Sequence, residues 1–533
     1  MVLARNLMKT LRQGKVMSLL LAAFMFFAGG AWAGERLINI KVAQYTQTID
    51  FTTAQGTLWD LGGKTGRLAA QQVAQIRGTL GQKAKKRYHV MVASVSLLEP
   101  QQLERTLTEW RSLGCEVYTL ESGQRFYAED GKTLVFDNRH ADVAVGVYED
   151  LASAQAHVDR LAAQGKSSWI RTEIVSLAKG NLVLTANGET LAEGESLMLV
   201  PESTILLKKV EYAVGYPWHG FADRTYLGTL TCRFGAQDAI DCVLATPLEI
   251  VLAGVVPSEI SAKAEIGALQ AQACAARGEI LAKIGVRHAG EGFDTCSEQH
   301  CQVFNGESAV ALEIAKKIAP TRGNVLTTSS GGLVDAVYAA NCGGRGESNH
   351  YVWTTQPNPI LRGVWDISPE PNLDLTEEEQ AGVFISNPPA AYCNNPAVEG
   401  GTNFRWKKSL STTEWKGIES SVGVGRIKTI TDIARGLSGR MYRLTFVGER
   451  GNKTVMKELN IRKLFGGLKS SCFVADWKKD AAGFIVSAEL SGAGFGHGVG
   501  MCQTGAQALA KRGWSFDRIL AHYFPGSVLK KWY

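Results

Sequence analysis

Apolar positions along the chain change period several times, and each change marks an element. Tyr88 to Ser96 suits a strand. Leu103, Leu107, Trp110 and Leu113 then fall on one face of a helix that Gly114 ends, and Glu116 to Leu120 is again strand-like. The same order recurs: a strand from Val143 to Tyr148, a helical face of Leu151, Ala154, Val158 and Leu161, a stop at Gly165, and a strand from Trp169 to Ile174. Two βαβ units of this size over residues 88–176 predict a small βαββαβ sandwich with both helices on one face of the sheet. Ahead of the repeat, Ile38 to Tyr45 is strand-like. The Gly-, Gln- and Lys-rich sequence that follows, ending in Lys83-Ala84-Lys85-Lys86-Arg87, makes 34–87 read as an extension and linker. Behind the repeat, Gly180 to Leu207 alternates between Asn-Gly and Glu-Gly turns and predicts a linking β element over 177–208. Residues 209–533 mix short strands with helices, the clearest from Glu265 to Ile284, and predict a larger mixed α+β domain.

A chain of 533 residues is too long for one compact core, so two or three domains are expected. With 45% hydrophobic and 20% charged residues and no low-complexity tract, it is not a mainly disordered chain. Arg5, Lys9, Arg12 and Lys15, the apolar run Val16 to Ala28, and Ala31-Trp32-Ala33 follow the order of a secretory signal, with cleavage expected after Ala33. An uncleaved anchor helix is the other reading, although the run is barely long enough to span a bilayer. Losing those four basic residues takes the formal net charge from +6 to +2, so the basic character belongs to the export segment and nucleic acid is not an expected partner. In an exported chain the ten cysteines are candidates for disulfides, Cys232 and Cys242 across a hairpin among them.

The βαββαβ pattern resembles a SPOR domain, the module that binds glycan strands stripped of peptide stems; a generic ferredoxin-like dimerisation module has the same pattern. Four blocks further on carry a second resemblance. They are Leu252-Ala253-Gly254-Val255-Val256-Pro257-Ser258-Glu259 with Ala268 to Arg277, then Phe293-Asp294-Thr295-Cys296 through His300-Cys301-Gln302-Val303-Phe304-Asn305-Gly306. Tyr338 to Gly344 is the third, and Gly496-His497-Gly498-Val499-Gly500-Met501-Cys502-Gln503 with Ile519 to Gly526 the fourth. In this order they resemble the stage II sporulation protein D and LytB family of peptidoglycan-active proteins. One departure is Arg277-Gly278-Glu279, where that family usually has Arg-Thr-Tyr.

The resemblance implies that Glu259 is a catalytic acid. A carboxyl beside Val255, Val256, Pro257 and Ile260 is open to desolvation, which raises its pKa. The plainer alternative is that Ser258 and Glu259 precede a helix and complement its positive end. An acid that protonates the glycosidic oxygen and then helps the sugar's C6 hydroxyl attack C1 needs no second carboxylate, and among the recognised blocks only Asp294 and Glu298 are nearby candidates for one. His288, Cys296, His300 and Cys301 are ligand types suited to zinc, and the resemblance implies a metal there. Because His300 and Cys301 are adjacent, three protein ligands are expected, Cys296 and Cys301 foremost; the rival is a Cys296–Cys301 disulfide. His497 and Gln503 are candidates to bind sugar, with Gln272 and Arg277 facing the same cleft less directly; a tight structural turn with a buried His is the alternative for the glycine-rich block. Cys342 either pairs with Cys393 or stays a buried thiol.

The sequence is thus read as an exported peptidoglycan lytic transglycosylase with a glycan-binding module. It would act in the periplasm or envelope on stem-free glycan strands, leaving 1,6-anhydromuramyl ends. The alternatives are a non-catalytic enhancer that presents glycan to a cell-wall amidase and, less favoured because no His-Glu-x-x-His pattern occurs, a zinc hydrolase.

Overall fold

The computed structural model describes residues 36–216, 218–353 and 356–533. The export segment read at 1–33 lies outside the described residues, and among those no helix is long and apolar enough to cross a membrane. The described chain is mixed α+β.

The segment expected as an extension and linker is instead five strands: β1 (Leu37–Tyr45), β2 (Thr48–Thr53), β3 (Thr57–Leu61), β4 (Lys64–Leu68) and β5 (Ala74–Gln82). The repeat follows as β6 (Lys85–Ser96), α1 (Pro100–Ser112), β7 (Tyr118–Ser122), a hairpin of β8 (Arg125–Tyr127) and β9 (Leu134–Asp137), β10 (His140–Tyr148), α2 (Leu151–Ala163) and β11 (Trp169–Ser176). Then come β12 (Lys179–Ala186), β13 (Glu189–Gly194), β14 (Ser196–Pro201), β15 (Thr204–Tyr212), β16 (Gly220–Leu227), β17 (Thr229–Phe234) and β18 (Ile240–Pro247).

Among the described residues, one sheet runs β13-β12-β5-β2-β15-β16 and another β4-β3-β14-β17-β18-β1, which the short β19 (Thr295–Cys296) extends in parallel beside β1. The two-residue period decides which side chains are buried. In β2 it turns Ile49, Phe51 and Thr53 inward, and in β17 Leu230, Cys232 and Phe234. Of these strands β1 alone was expected; β3 pairs with β4 and β2 with β5 nearby, while β1 pairs with β18, β5 with β12, β2 with β15 and β3 with β14, all beyond the repeat. Likewise residues 209–247, expected in the last domain, complete these sheets.

Gln82 and Lys179 are cross-strand partners, so the chain leaves and returns at neighbouring strand ends and the repeat is an insertion. Its sheet runs β11-β6-β10-β7, all antiparallel, and Trp110 of α1 with Ala154 and Leu161 of α2 packs with Val90 and Val145 of the sheet. Asp150 caps α2 by accepting from the Ser153 N–H at 2.8 Å. The β8–β9 hairpin docks the module onto the rest of the chain. Phe126 and Phe136 pack against Trp532, and Asn138, only 4% exposed, donates to the carbonyls of Leu281 (2.8 Å) and Ile284 (3.0 Å).

After β18 come the buried helices α3 (Leu248–Glu259) and α4 (Ile266–Lys283), which share one continuous core with the sheets. Residues 405–493 build two further three-stranded sheets around a separate core that includes Trp406, Trp415, Phe446, Phe465 and Phe473. There, helix Thr412–Val422 opens with a capping box of Ser411 and Glu414 and closes on Gly423 at φ 82°.

Phe51 discriminates a folded strand from a linker. Phe51→Ala is expected to cost about 3–5 kcal/mol in urea unfolding, whereas a linker residue would shift stability by no more than about 0.5 kcal/mol.

Candidate functional site

Helix α3 buries Val251, Leu252, Ala253, Gly254, Val255 and Val256, and its last turn carries Pro257, Ser258 and Glu259. Pro257 lacks the N–H that would continue the ladder, and Ile260 leaves in extended conformation, so the helix stops where the acid projects. Glu259 therefore sits at the carbonyl end of a helix, not ahead of one as the plainer sequence reading had it. That end of the dipole disfavours a negative charge. Burial first and the like charge of Glu279 second push the Glu259 carboxyl up to about 7; hydrogen bonds with Gln503 and Tyr338 and the charge of Lys283 pull the other way.

Helix α4 supplies the second carboxylate that the sequence reading missed. Its faces are almost all buried and rich in small residues, Ala271, Ala273, Ala275, Ala276 and Gly278 among them, so neighbours approach closely on several sides. A Cβ at Gly278 would lie 3.1 Å from Ala336 Cβ and 3.2 Å from the Val334 carbonyl, which places the chain leading to Tyr338 directly on this turn. Glu279 pairs with Lys283 one turn on and accepts from Gln302 Nε2 at 2.7 Å. The Tyr338 hydroxyl lies between Glu259 and Glu279, and burial holds it protonated, so its one hydrogen can serve one of the two carboxyls at a time. The one available signal was the departure at Arg277-Gly278-Glu279. Asp294 and Glu298, the carboxylates the sequence brought forward, are engaged elsewhere, Asp294 with the Asn39 N–H (2.8 Å) and Glu298 with that of Ala213 (3.1 Å).

Gln503 does reach the acid: Nε2 donates to the Glu259 carbonyl at 3.1 Å and lies 3.4 Å from Gln272 Oε1. Gln272 is fully buried, so it steadies Gln503 from behind. Arg277 does not face the cleft. It is fully buried and forms a forked pair with Glu249, Nε to Oε1 at 3.0 Å and Nη2 to Oε2 at 2.7 Å, while Nη1 donates to the Asn324 carbonyl at 2.9 Å. Burial alone would raise the Glu249 carboxyl; Arg277, with Tyr533 donating at 2.6 Å, brings it below its ordinary value. His497 is partly exposed and held by the backbone around it. Its Nδ1 accepts from the Val499 N–H at 3.1 Å, the ring also bonds the Tyr338 backbone, and burial first, then Arg440, pulls it down to about 3, so it stays neutral.

His288, Cys296, His300 and Cys301 all converge, their ligand atoms lying within 4.8 Å of one another. His288 Nε2 is 3.3 Å from Cys301 Sγ, and His300 Nδ1 is 3.6 Å from Cys301 Sγ and 3.9 Å from Cys296 Sγ. Adjacent His300 and Cys301 thus turn to one point, giving four donors where three were expected. The other nitrogen of His288, Nδ1, is 2.9 Å from Glu291 Oε1, the arrangement that orients a metal-binding imidazole. Two sulfurs and two imidazoles fit a tetrahedral zinc. The next residue, Gln302, is the one that holds Glu279, so this loop is tied to the acid pair.

Residues 236–328 match the family model described as Stage II sporulation protein, and residues 347–500 that of a domain of unknown function (DUF8618). The chain is 27% identical over 300 residues to the amidase enhancer of Bacillus subtilis, an alignment covering 52% of this chain and 40% of that protein. It is 26% identical over 302 residues to stage II sporulation protein D of Bacillus subtilis (54% of this chain, 75% of that one). It is 25% identical over 294 residues to stage II sporulation protein D of Bacillus amyloliquefaciens (52% and 73%). Glu259, Glu279 and the His/Cys cluster all fall within the first match.

A buried anchor and a sugar contact predict different losses at Arg277. Arg277→Leu leaves Glu249 uncompensated and should cost about 3–5 kcal/mol in thermal or urea unfolding at neutral pH. Because Arg277 lowers the Glu249 pKa, its stabilisation is present above the ordinary carboxylate range and is lost as pH falls through the folded value. The gap between wild type and variant should therefore narrow below roughly pH 4. Unchanged stability with weakened glycan binding would return Arg277 to the cleft.

Proposed function

Since the C-terminal region of this chain belongs to the stage II sporulation protein D and LytB family, we propose that it acts on the bacterial cell wall as an exported peptidoglycan lytic transglycosylase with Glu259 as its acid. The observation that carries this reading is a half-buried carboxyl raised to about 7 at the end of α3, with Tyr338 and Gln503 holding it. Protonated Glu259 gives its proton to the glycosidic oxygen. The resulting carboxylate then accepts the proton of the C6 hydroxyl as that oxygen attacks C1, so the bond to the leaving sugar breaks and a 1,6-anhydromuramyl end forms without water. Glu279 is already committed to Lys283 and Gln302, which favours a role in setting the Glu259 pKa over activating a water.

The inserted βαββαβ module is assigned to glycan binding in this reading, and stem-free strands are the proposed substrate. Zinc is assigned to His288, Cys296, His300 and Cys301; with four protein donors it would be structural, bracing the loop that leads to Gln302. The amidase enhancer similarity favours a second reading, a protein that presents glycan to a cell-wall amidase without cutting it.

Incubation with stem-free glycan and mass analysis of the products separates the two. Wild type should release anhydro ends, one water lighter than hydrolysed ends. Glu259→Gln should lose at least about a hundredfold in turnover while binding changes little. Reducing ends would mean that water attacks. If neither form cuts and both stimulate an amidase equally, the enhancer reading replaces this one.

Because the acid must be protonated, kcat/KM should fall as pH rises through about 7. Glu279→Gln removes the like charge and should move that fall to lower pH; an unmoved profile would detach Glu279 from the acid. For the metal at this cluster, Cys296→Ser should remove one equivalent of zinc per chain and lower the Tm, whereas a Cys296–Cys301 disulfide found by mass would exclude it.

A further inference from the structure

Three cysteines that this mechanism leaves unused meet in the core. Cys342, Cys393 and Cys502 lie with Asp366 so that their ligand atoms are all within 4.8 Å of one another, and every one is buried, Asp366 and Cys393 at 0% exposure. Cys342 Sγ and Cys393 Sγ are 3.5 Å apart. Sulfurs on a tetrahedral zinc with bonds of about 2.3 Å stand roughly 3.8 Å apart, so the spacing suits ligands of one ion. The pair Cys232 and Cys242, at 3.6 Å, differs in belonging to no such group of donors among the described residues: it is a cross-strand neighbour pair between β17 and β18.

The surroundings are those of charged ligands. Backbone N–H groups point at the sulfurs, Cys342 to Cys502 Sγ (3.2 Å), Gly505 to Cys502 Sγ (3.3 Å) and Gly344 to Cys342 Sγ (3.4 Å). Asp366 is oriented at both oxygens, by the Cys393 N–H at 3.0 Å and the Tyr523 hydroxyl at 2.6 Å, with His522 Nε2 at 3.7 Å. Each carboxylate oxygen keeps a further lone pair, and hydrogen bonds of this kind are how outer groups fix a metal ligand. A fully buried carboxylate beside three thiols is costly unless a cation joins them. Three thiolates and one carboxylate suit a zinc-class ion, with the shell closed to substrate.

We propose that Cys342, Cys393, Cys502 and Asp366 form a second zinc site, separate from the His/Cys cluster, which clamps the segments that position the acid. The short strand Tyr338–Ala339 runs parallel to Met501–Cys502, Ala339 opposite Cys502. Cys502 immediately precedes Gln503, and Cys342 follows four residues after Tyr338. One ion would therefore fix both groups that bond Glu259, and tie them to the loops at Asp366 and Cys393.

The rival is a Cys342–Cys393 disulfide that leaves Cys502 free, and zinc analysis with thiol mapping of the full chain separates them. Cys296→Ser, which breaks the other cluster, should keep one zinc per chain. Cys393→Ala and Cys502→Ala should each lose one equivalent relative to wild type. Wild type denatured with chelator and no reductant should be alkylated at Cys342, Cys393 and Cys502 alike. The proposal fails if soluble Cys393→Ala and Cys502→Ala keep the full zinc content, if Cys296→Ser holds none, or if peptide masses show Cys342 bonded to Cys393. The thiol map of wild type decides even where the variants do not fold.

Discussion

A carboxyl that stays protonated near neutral pH must be kept from water and from close cations, and that requirement organises the chemistry-bearing part of this molecule. Lifting Glu259 from the ordinary glutamate range to about 7 represents on the order of a few kcal/mol between its two protonation states. No single contact provides it. Burial at the end of α3 is the largest contribution, the helix dipole acts in the same direction, and Glu279 adds repulsion. Lys283, which would undo the shift, is spent on Glu279.

Such an arrangement needs α4 to be close to everything, which explains its composition. The small residues on its faces let α3, the chain before Tyr338 and the C-terminal segments pack within contact distance. A helix so crowded cannot turn or slide, and the forked pair of Arg277 with Glu249 fixes it against α3 and the chain's last residue, Tyr533. Buried ion pairs add little net stability over apolar packing, but they select one geometry because any other strands a charge. Here the selected geometry is the one that keeps Glu279, two residues beyond Arg277, beside the acid.

What the sequence made legible follows from how far each signal reaches. The repeat was readable because its helices have a local period and their glycine stops, Gly114 and Gly165, take positive φ as expected. Glu259 was readable only with the family blocks beside it, since local reading placed it at the wrong end of a helix. Of the early strands only β1 was read; β2 to β5 pair partly with one another, and the strands that complete their sheets, β12, β14 and β15, lie beyond the inserted module. Arg277 was read toward the cleft for a related reason: a charged side chain next to small residues looks the same whether it faces a cleft or a buried Glu249. The pair of His300 and Cys301 shows a third limit. Adjacency alone does not say whether two side chains share a point, and here a turn brings both together.

The way the module is inserted bears on how it would cooperate with the acid if, as proposed, it binds glycan. Where domains are joined by a flexible tether, effective concentration depends on tether length; where they are docked, it depends on whether the fixed span matches the ligand. Here the connections at β5 and β12 are short, and Asn138 binds carbonyls at the C-terminal end of α4, while Gly123 donates to Gly285 at 2.9 Å. The helix that receives the module is the helix that carries Glu279. Its placement relative to the acid is therefore set by packing, so a strand held by the module would be offered to Glu259 in a fixed register, and loosening Asn138 would disturb that register before it disturbed either element alone.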